Sequence, residues 1–458
     1  MNVHFIAIGG SVMHSLAIAL HKAGHTVTGS DDVLYDPARS RLQRYGLLPK
    51  QEGWHPERIH RGLDAVIVGM HARPDNPELQ QALQMELRVY SYPSFLVEHA
   101  RHKRRVVIAG SHGKTTITAM VLHVFRWAKL KCDYLLGATT AELDESVQLS
   151  TDAPWMIFEG DEYPDAAFSR KPKFLVYEPH AALISGLAWD HINFFPTEQE
   201  YHQAFDALLN GMANESHVIY CVEDATLDRL VKKHQHRLKT VPYATPHYHI
   251  DMNGWTLFFN GKNYTMQLIG KHNMQNTMGA ATLCHHVAGI PLSDALQALT
   301  TFSGAHRRLQ LLAINDHCMV YNDFAHAPSK VRASVQAVRE THPDRVLVAC
   351  LELHTFSSLN ERFIDLYQHA LAQADVPIVL LDRSTVLRKG QTPFEPDRLR
   401  RAFADHRLRV AYDAESLVAL LQSIRWQSHV LLLMSSGSWG GLGAETLAGL
   451  VTAGHRQT

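Results

Sequence analysis

The stretch VVIAGSHGKTT, Val106 to Thr116, runs an apolar, strand-like segment into a glycine-bracketed loop and then into the helix-like TTITAMVLHVFRWA. Its end, Gly113-Lys114-Thr115, is that of a phosphate-binding loop. The usual spacing, G-x-x-x-x-G-K-[ST], would need glycine at position 108, where Ile108 stands. The nearest glycine is Gly110, so the spacing is the shorter G-x-x-G-K-T. Two glycines let the backbone approach phosphate oxygens closely. Successive N–H groups across Gly110, Ser111, His112 and Gly113, together with the free first turn of the following helix, supply positive potential. Lys114 can reach the β- and γ-phosphates and the Thr115 hydroxyl can bind Mg²⁺, with Thr116 in the same turn. A chance G-K-T at a strand end is the alternative, and the strand–loop–helix context argues against it.

Working outward, 458 residues are too many for one core, and a domain size of about 150 residues suggests roughly three domains. The first hundred residues alternate strand and helix signals: VHFIAIGG, SLAIALHKAG, HTVTGSD and LDAVIVGM, the βαβ rhythm of a doubly wound sheet. The basic run RHKRR at 101–105 reads as a solvated linker. A second α/β unit follows, with strands at RVVIA, WMIFEGD, AALISGL and SHVIYCVED. Its β-rich patch HYHIDMNGWTLFFNGKNYTMQLIG carries N-G and N-G-K turn signals, and HNMQNTMGAATLCHHVAGI reads as a helix. A third unit begins near Leu312, with strands at CMVYNDFAHAP, DRVLVACLEL, VPIVLLD and HVLLLMSSGSWGG. The expected division is 1–103, 104–312 and 313–458. The fold class is α/β: a Rossmann-like N-terminal domain, a central mononucleotide-binding domain of the P-loop ATPase type, and a Rossmann-like C-terminal domain.

Bulk composition narrows the partners. A net charge of −1 gives no reason to expect nucleic acid or an anionic membrane surface. No apolar stretch approaches the ~18 residues of a spanning helix. The five cysteines contain no C-x-x-C pair, so neither a zinc ribbon nor a disulfide framework is indicated. A cytoplasmic monomer is expected. An NAD-dependent oxidoreductase is disfavoured: with Gly9 as the second glycine of G-x-G-x-x-G, Ala7 and Val12 occupy the other two places. A P-loop ATPase without ligase chemistry remains open at this point.

Two more strand ends carry polar groups. Glu159, Asp161 and Glu162 crowd the end of WMIFEGD; they are natural Mg²⁺ ligands or a solvated acidic turn. Asp190 and His191 follow AALISGL, where a lone histidine is more often structural. Three strand ends bearing Lys/Thr, Glu and His in one sheet argue jointly for a nucleotide site.

The order of these motifs resembles the Mur ligase family, the ATP-dependent amide-forming enzymes of peptidoglycan synthesis, whose loop is G-T-x-G-K-[TS]. The resemblance spans the chain: I-G-G-x-x-M (Ile8, Gly9, Gly10, Met13), GSD at 29–31, the loop, E-x-D-E at 159–162, D-H at 190–191, GKHNMQN at 270–276, GAHRRLQ at 304–310 and NDFAHAPS at 322–329. It implies ATP and Mg²⁺ as cofactors and UDP-N-acetylmuramate as the carboxyl substrate. Lys114 and Thr115 would hold phosphates and a first Mg²⁺, and Glu159 with His191 a second. Asn273 and Asn276 would contact adenine. Arg308, Asp323 and His326 would reach the nucleotide from the domain junctions, with a structural role open for His326. Gly9, Gly10, Ser30 and Asp31 would lie along the uridine nucleotide, although Ser30 and Asp31 also suit a turn cap.

Within the family, GSDDVLYDP (29–37), DEYPDAAFSRKPKF (161–174) and MSSGSWGG (434–441) are similar to the member that adds a whole tripeptide, L-Ala-γ-D-Glu-meso-diaminopimelate, in peptidoglycan recycling. The alternative is the sister that adds L-alanine. His354 and Thr355, in LELHTFSSLN after a strand, are candidates for contacting the tripeptide, against an ordinary polar turn. Departures from the family pattern are Gly186, Ala188 and Asn193 around Asp190-His191, Gln310 in R-R-x-E, and His326-Ala327-Pro328 for H-H-P. No lysine lies between His191 and Lys232, so the carbamylated lysine of some relatives is expected to be absent.

Overall fold

The structure is a computed structural model that describes residues 1–140, 142–167, 169, 171–192, 194–251 and 254–453. Asn193, and Asn253 of the expected N-G turn, lie outside the described residues.

The apolar runs become the strands of three larger sheets. In the first sheet four parallel strands stand in the order Thr26–Ser30, Asn2–Ile6, Ala65–Val68, Val89–Ser91. The second sheet has seven: Lys239–Tyr243, His217–Cys221, Ala181–Ile184, Arg104–Ala109, Trp155–Glu159, Cys132–Leu135 and an antiparallel Val147–Gln148. The third has six: an antiparallel edge Gln310–Ile314, then Cys318–Asp323, His429–Met434, Val346–Glu352, Val376–Leu380 and Arg409–Ala411, all parallel. The β-rich patch forms its own antiparallel sheet of His247–Asp251, Gly254–Phe259 and Lys262–Met266.

The order of the second sheet positions the site. Arg104–Ala109 runs between Ala181–Ile184 and Trp155–Glu159, parallel to both. Their carboxyl ends therefore deliver the glycine loop, Glu159 and the segment leading to Asp190 to one crevice, where open α/β sheets bind ligands. Val106, Val107, Ile108 and Ala109 are fully buried, as expected for a strand covered on both faces by helices.

Two expectations change. The run RHKRR is solvated only in part: Arg101, His102 and Arg104 are exposed, but the run is anchored at two side chains. Lys103 is buried and pairs with Asp133 at 2.7 Å, while Arg105 donates to the carbonyls of Tyr177 and Glu178 at 3.1 and 3.0 Å. Arg104 and Arg105 already belong to the strand. Local charge density gave no hint of these distant partners. The strand Gln310–Ile314 pairs with the C-terminal sheet and straddles the 312/313 division.

The hydrophobic core shows which parts act together. One continuous cluster joins the N-terminal sheet and its covering helix (Val3, Phe5 and Leu20) to the central sheet (Val107, Phe158, Leu183). The C-terminal sheet has separate clusters, which include Leu351 and Phe363 in one and Val348 and Trp439 in the other.

Candidate active site

The loop after Ala109 turns through two left-handed glycines, Gly110 (φ 115°) and Gly113 (φ 67°), and Gly113 caps the helix Lys114–Trp127. Both positions also lack space. A Cβ on Gly110 would stand 2.5 Å from Ser185 Oγ, and one on Gly113 2.4 Å from Asn276 Oδ1. The glycines are therefore required by conformation and by close approach.

Lys114 donates to its own loop at Gly110 O (2.8 Å) and to both oxygens of Glu162 (2.8 and 2.7 Å). Burial pulls the ammonium down, but Glu162 outweighs it and holds Lys114 above its ordinary pKa. Glu162, almost fully buried, also accepts from Tyr201 Oη at 3.1 Å. The Thr115 hydroxyl donates to Glu159 Oε1 at 2.7 Å and accepts from Arg308 at 3.1 Å. Gly137 N–H holds the other Glu159 oxygen at 2.7 Å. Burial pushes the Glu159 carboxyl above its usual range despite these donors. Arg308 lies over the Phe324 ring, 4.4 Å from its centroid, so its planar cation is fixed between the two domains.

His191 sits at a left-handed φ of 58°. Its Nδ1 meets Tyr163 Oη at 3.0 Å, and its Nε2 is 3.9 Å from Glu162. Asp190 accepts from the His191 N–H at 2.8 Å and from Lys330 at 3.1 Å. Burial alone would raise its pKa, yet Lys330, His191 and His326 hold Asp190 well below the carboxylate range. Burial pushes His112 down to about 4 and His326 down to about 3, with the charge of Lys330 adding to both. His326 Nδ1 bonds Phe324 O at 2.8 Å, and His112 Nδ1 is buried without a partner.

The remaining candidates fall in three places. Asn273 and Asn276 are buried on the helix Lys271–Ala288 and linked at 3.3 Å, with Asn276 against Gly113. Asp323 takes a hydrogen bond from Ser334 Oγ, and its backbone oxygen accepts from Ser435 N at 2.9 Å. In the N-terminal sheet, Asp31 accepts from Gly9 N at 2.6 Å, and Ser30 Oγ accepts from Arg58 at 2.9 Å. Burial, with Asp32 adjacent, pushes Asp31 up to about 6. Gly10 caps the helix Ser11–Lys22. Among the described residues no hydrogen bond joins this group to the phosphate loop. In the C-terminal domain, His354 Nε2 meets Ser436 Oγ at 3.1 Å, tying LELHTFSSLN to MSSGSWGG. The Thr355 hydroxyl is engaged in a local turn with Ser358 at 2.9 and 3.1 Å.

Sequence reasoning left out several partners. Glu162 was visible only as part of an acidic crowd. Arg307 and Tyr163 stood inside quoted motifs but were given no role, and Tyr201, Gly137 and Lys330 carried no local signal. Arg307 donates to the carbonyls of Ser435 and Gly437 at 2.9 and 3.0 Å, closing the site against the C-terminal sheet.

The arrangement suits a nucleotide triphosphate and a hard cation. The loop is a cradle that a Cβ would fill. Its lysine is held over the loop, and its threonine hydroxyl touches a half-buried carboxylate. Among the described residues no group of three or more His, Cys, Asp and Glu side chains is placed to hold a metal ion. Thr115 and Glu159 offer two oxygen ligands, which fits Mg²⁺, an ion commonly held by one or two protein groups plus phosphates and water.

Comparison with known proteins agrees. The pattern described as "Mur ligase family, catalytic domain" matches residues 2–104, and that of "Mur ligase middle domain" matches residues 108–284. The UDP-N-acetylmuramate–L-alanine ligase of Streptococcus pneumoniae (strain Hungary19A-6) is 30% identical over 397 residues, 81% of each chain. The chain belongs to the Mur ligase family.

It is accordingly an ATP-dependent amide ligase acting on peptidoglycan precursors. Another similar relative is the UDP-N-acetylmuramate–L-alanyl-γ-D-glutamyl-meso-2,6-diaminoheptandioate ligase of Haemophilus influenzae, 27% identical over 459 residues, covering 96% of this chain and 97% of that one. The solved murein peptide ligase of Psychrobacter arcticus 273-4 shares the fold over 100% of both chains, with a TM-score of 0.68 at 22% identity. No helix of the described residues is long and apolar enough to cross a membrane.

Proposed function

We propose that this Mur ligase joins the lactyl carboxylate of UDP-N-acetylmuramate to the alanine amine of L-Ala-γ-D-Glu-meso-diaminopimelate. The observation that supports the substrate choice is the end-to-end match to relatives named for that tripeptide, slightly more identical than an L-alanine ligase matched over 98% of both chains at 25% identity. The tripeptide-ligase matches cover 96–98% of this chain, at 27% and 26% identity. The second reading, L-alanine as the amine, is favoured by the 30% identity to an L-alanine ligase over 81% of the chain.

A free carboxylate does not condense with an amine at a useful rate, because oxide is a hopeless leaving group. In the proposed sequence a carboxylate oxygen takes the γ-phosphoryl group. The amine then attacks the carbonyl, and phosphate leaves with that oxygen. Positioning and charge neutralisation do most of the work. Lys114 supplies charge to the phosphates from the loop, Arg308 from the domain junction. Thr115 and Glu159 are the residues that would hold Mg²⁺, with His191 at the neighbouring strand end; the ion would neutralise phosphate charge. Asn273 and Asn276, His326 and Asp323 line the nucleotide side of the seam. Gly9, Gly10, Ser30 and Asp31 serve the uridine nucleotide, and His354 the amino component. The domains are 1–103 for UDP-muramate, 104–309 for ATP and 310–458 for the amino component, the strand Gln310–Ile314 going with the C-terminal sheet.

The test is ligation followed by mass spectrometry, with L-alanine and the tripeptide offered in separate tubes. UDP-muramyl-tripeptide alone is expected. UDP-muramyl-alanine alone would select the second reading.

A further inference from the structure

The corner 189–192 belongs by sequence to the central domain but is gripped by the C-terminal one. The Trp189 ring meets Phe363 edge-on at 6.2 Å. Ile192 packs against the C-terminal core cluster. Between them, Asp190 is held by Lys330 at 3.1 Å. Lys330 stands in the first turn of the helix Pro328–Thr341, which itself spans the seam: near its far end Thr341 Oγ1 accepts from Trp255 Nε1 at 3.0 Å. One turn back, Ala337 leaves so little room that a Cβ on Gly270 would come within 2.7 Å of it.

His191 is thus flanked by two residues anchored to the other domain, and it holds a backbone conformation that non-glycine residues adopt only when their surroundings impose it. From His191 the contacts continue to Glu162 at 3.9 Å and from Glu162 to Lys114 at 2.7 Å. A chain of neighbouring polar groups therefore runs from the C-terminal domain to the phosphate lysine.

We propose that Lys330 is a positioning residue: from the C-terminal domain it fixes the Asp190–His191 corner, so that docking of that domain sets His191 beside Glu162 and the phosphate loop. A lysine suits this role because one compact ammonium can grip a shielded carboxylate from across a domain boundary. The Asp190 side chain is only 7% exposed and that of Lys330 24%. The proposal rests on the ligase reading for its kinetic assay alone.

The test compares Lys330→Met and Lys330→Arg with the unaltered chain, using whichever amine that chain accepts. Misplacement of a ligand group costs roughly ten- to a hundredfold in turnover, so Lys330→Met should lose that much in kcat and need more Mg²⁺ for half-saturation. The KM for UDP-N-acetylmuramate should hold, and the melting temperature should stay within about 2 °C. Lys330→Arg should recover most of the loss. Hydrogen exchange of residues 186–192, measured without substrates, should be faster in Lys330→Met. Unchanged kcat and Mg²⁺ requirement, or unchanged exchange, would overturn the proposal. So would a loss explained by a fall in melting temperature. If the unaltered chain forms no product with either amine, the functional reading fails, and the exchange result alone decides the role of Lys330.

Discussion

The two junctions of this chain are built differently. Between the N-terminal and central sheets the apolar core is continuous. Its rim is tied by Glu145, which accepts from Lys22 at 2.8 Å, from Tyr45 Oη at 3.4 Å and from Arg41. Between the central and C-terminal sheets the cores are separate. The contacts there combine discrete bridges, Lys330 to Asp190, Trp255 to Thr341 and Arg308 laid on the Phe324 ring, with a few apolar contacts from Trp189, Ile192 and Ile269. A continuous core makes two sheets one body; a seam of discrete bridges lets two bodies part and re-dock. The candidate nucleotide site lies on the second junction, so parting there would take it apart, while the first junction keeps the N-terminal sheet in fixed relation to the phosphate loop.

That contrast can be broken most sharply at the loop itself. Lys114→Ala should lower ligation by about 10³-fold or more, because it removes the ammonium that the loop itself holds at Gly110 O. Product within tenfold of normal would remove the loop from the chemistry. His191→Ala should raise the Mg²⁺ concentration for half-maximal rate by about tenfold. An unchanged titration would take His191 out of the metal's surroundings.

Acid should loosen the seam. His326 and His112 are held neutral by burial, at about 3 and about 4. Their folded-state pKa values lie below the ordinary value of about 6.5. As pH falls through about 6.5 the unfolded chain takes up protons that the folded chain refuses. The stability they support is therefore full above that pH and lost below it, at up to about 1.4 kcal/mol per pH unit for each. Urea midpoints at several pH values should show this slope, and His326→Gln should flatten it; an equal slope in the variant would assign the acid loss elsewhere. The smallest effect belongs to the other junction. Glu145→Ala removes partly exposed bridges and should cost about 1 kcal/mol in urea unfolding with kcat unchanged. A large loss of kcat would mean that this junction also moves in catalysis.

Much of this was legible in the sequence, because strands, turns and phosphate loops are local. Gly110 to Thr115 required a helix start at a strand end, and the apolar runs on either side announced neighbouring strands whose carboxyl ends converge. The ion-pair partners were not legible. Lys330 lies 140 residues from Asp190, in a helix turn with no distinguishing pattern. RHKRR looked solvated, because its partner Asp133 announces itself only through packing. Thr355 looked available, but its hydroxyl is engaged by Ser358. Local pattern marks where a group can act, and tertiary contact decides which groups are already engaged.

The most direct measurement is oxygen transfer. UDP-N-acetylmuramate carrying ¹⁸O in its lactyl carboxylate is incubated with ATP, Mg²⁺ and the tripeptide, and the released phosphate is examined by mass spectrometry. One carboxylate oxygen should appear in the phosphate for each amide formed. Product accompanied by unlabelled phosphate, or labelled substrate left intact while ATP is hydrolysed, would contradict the account.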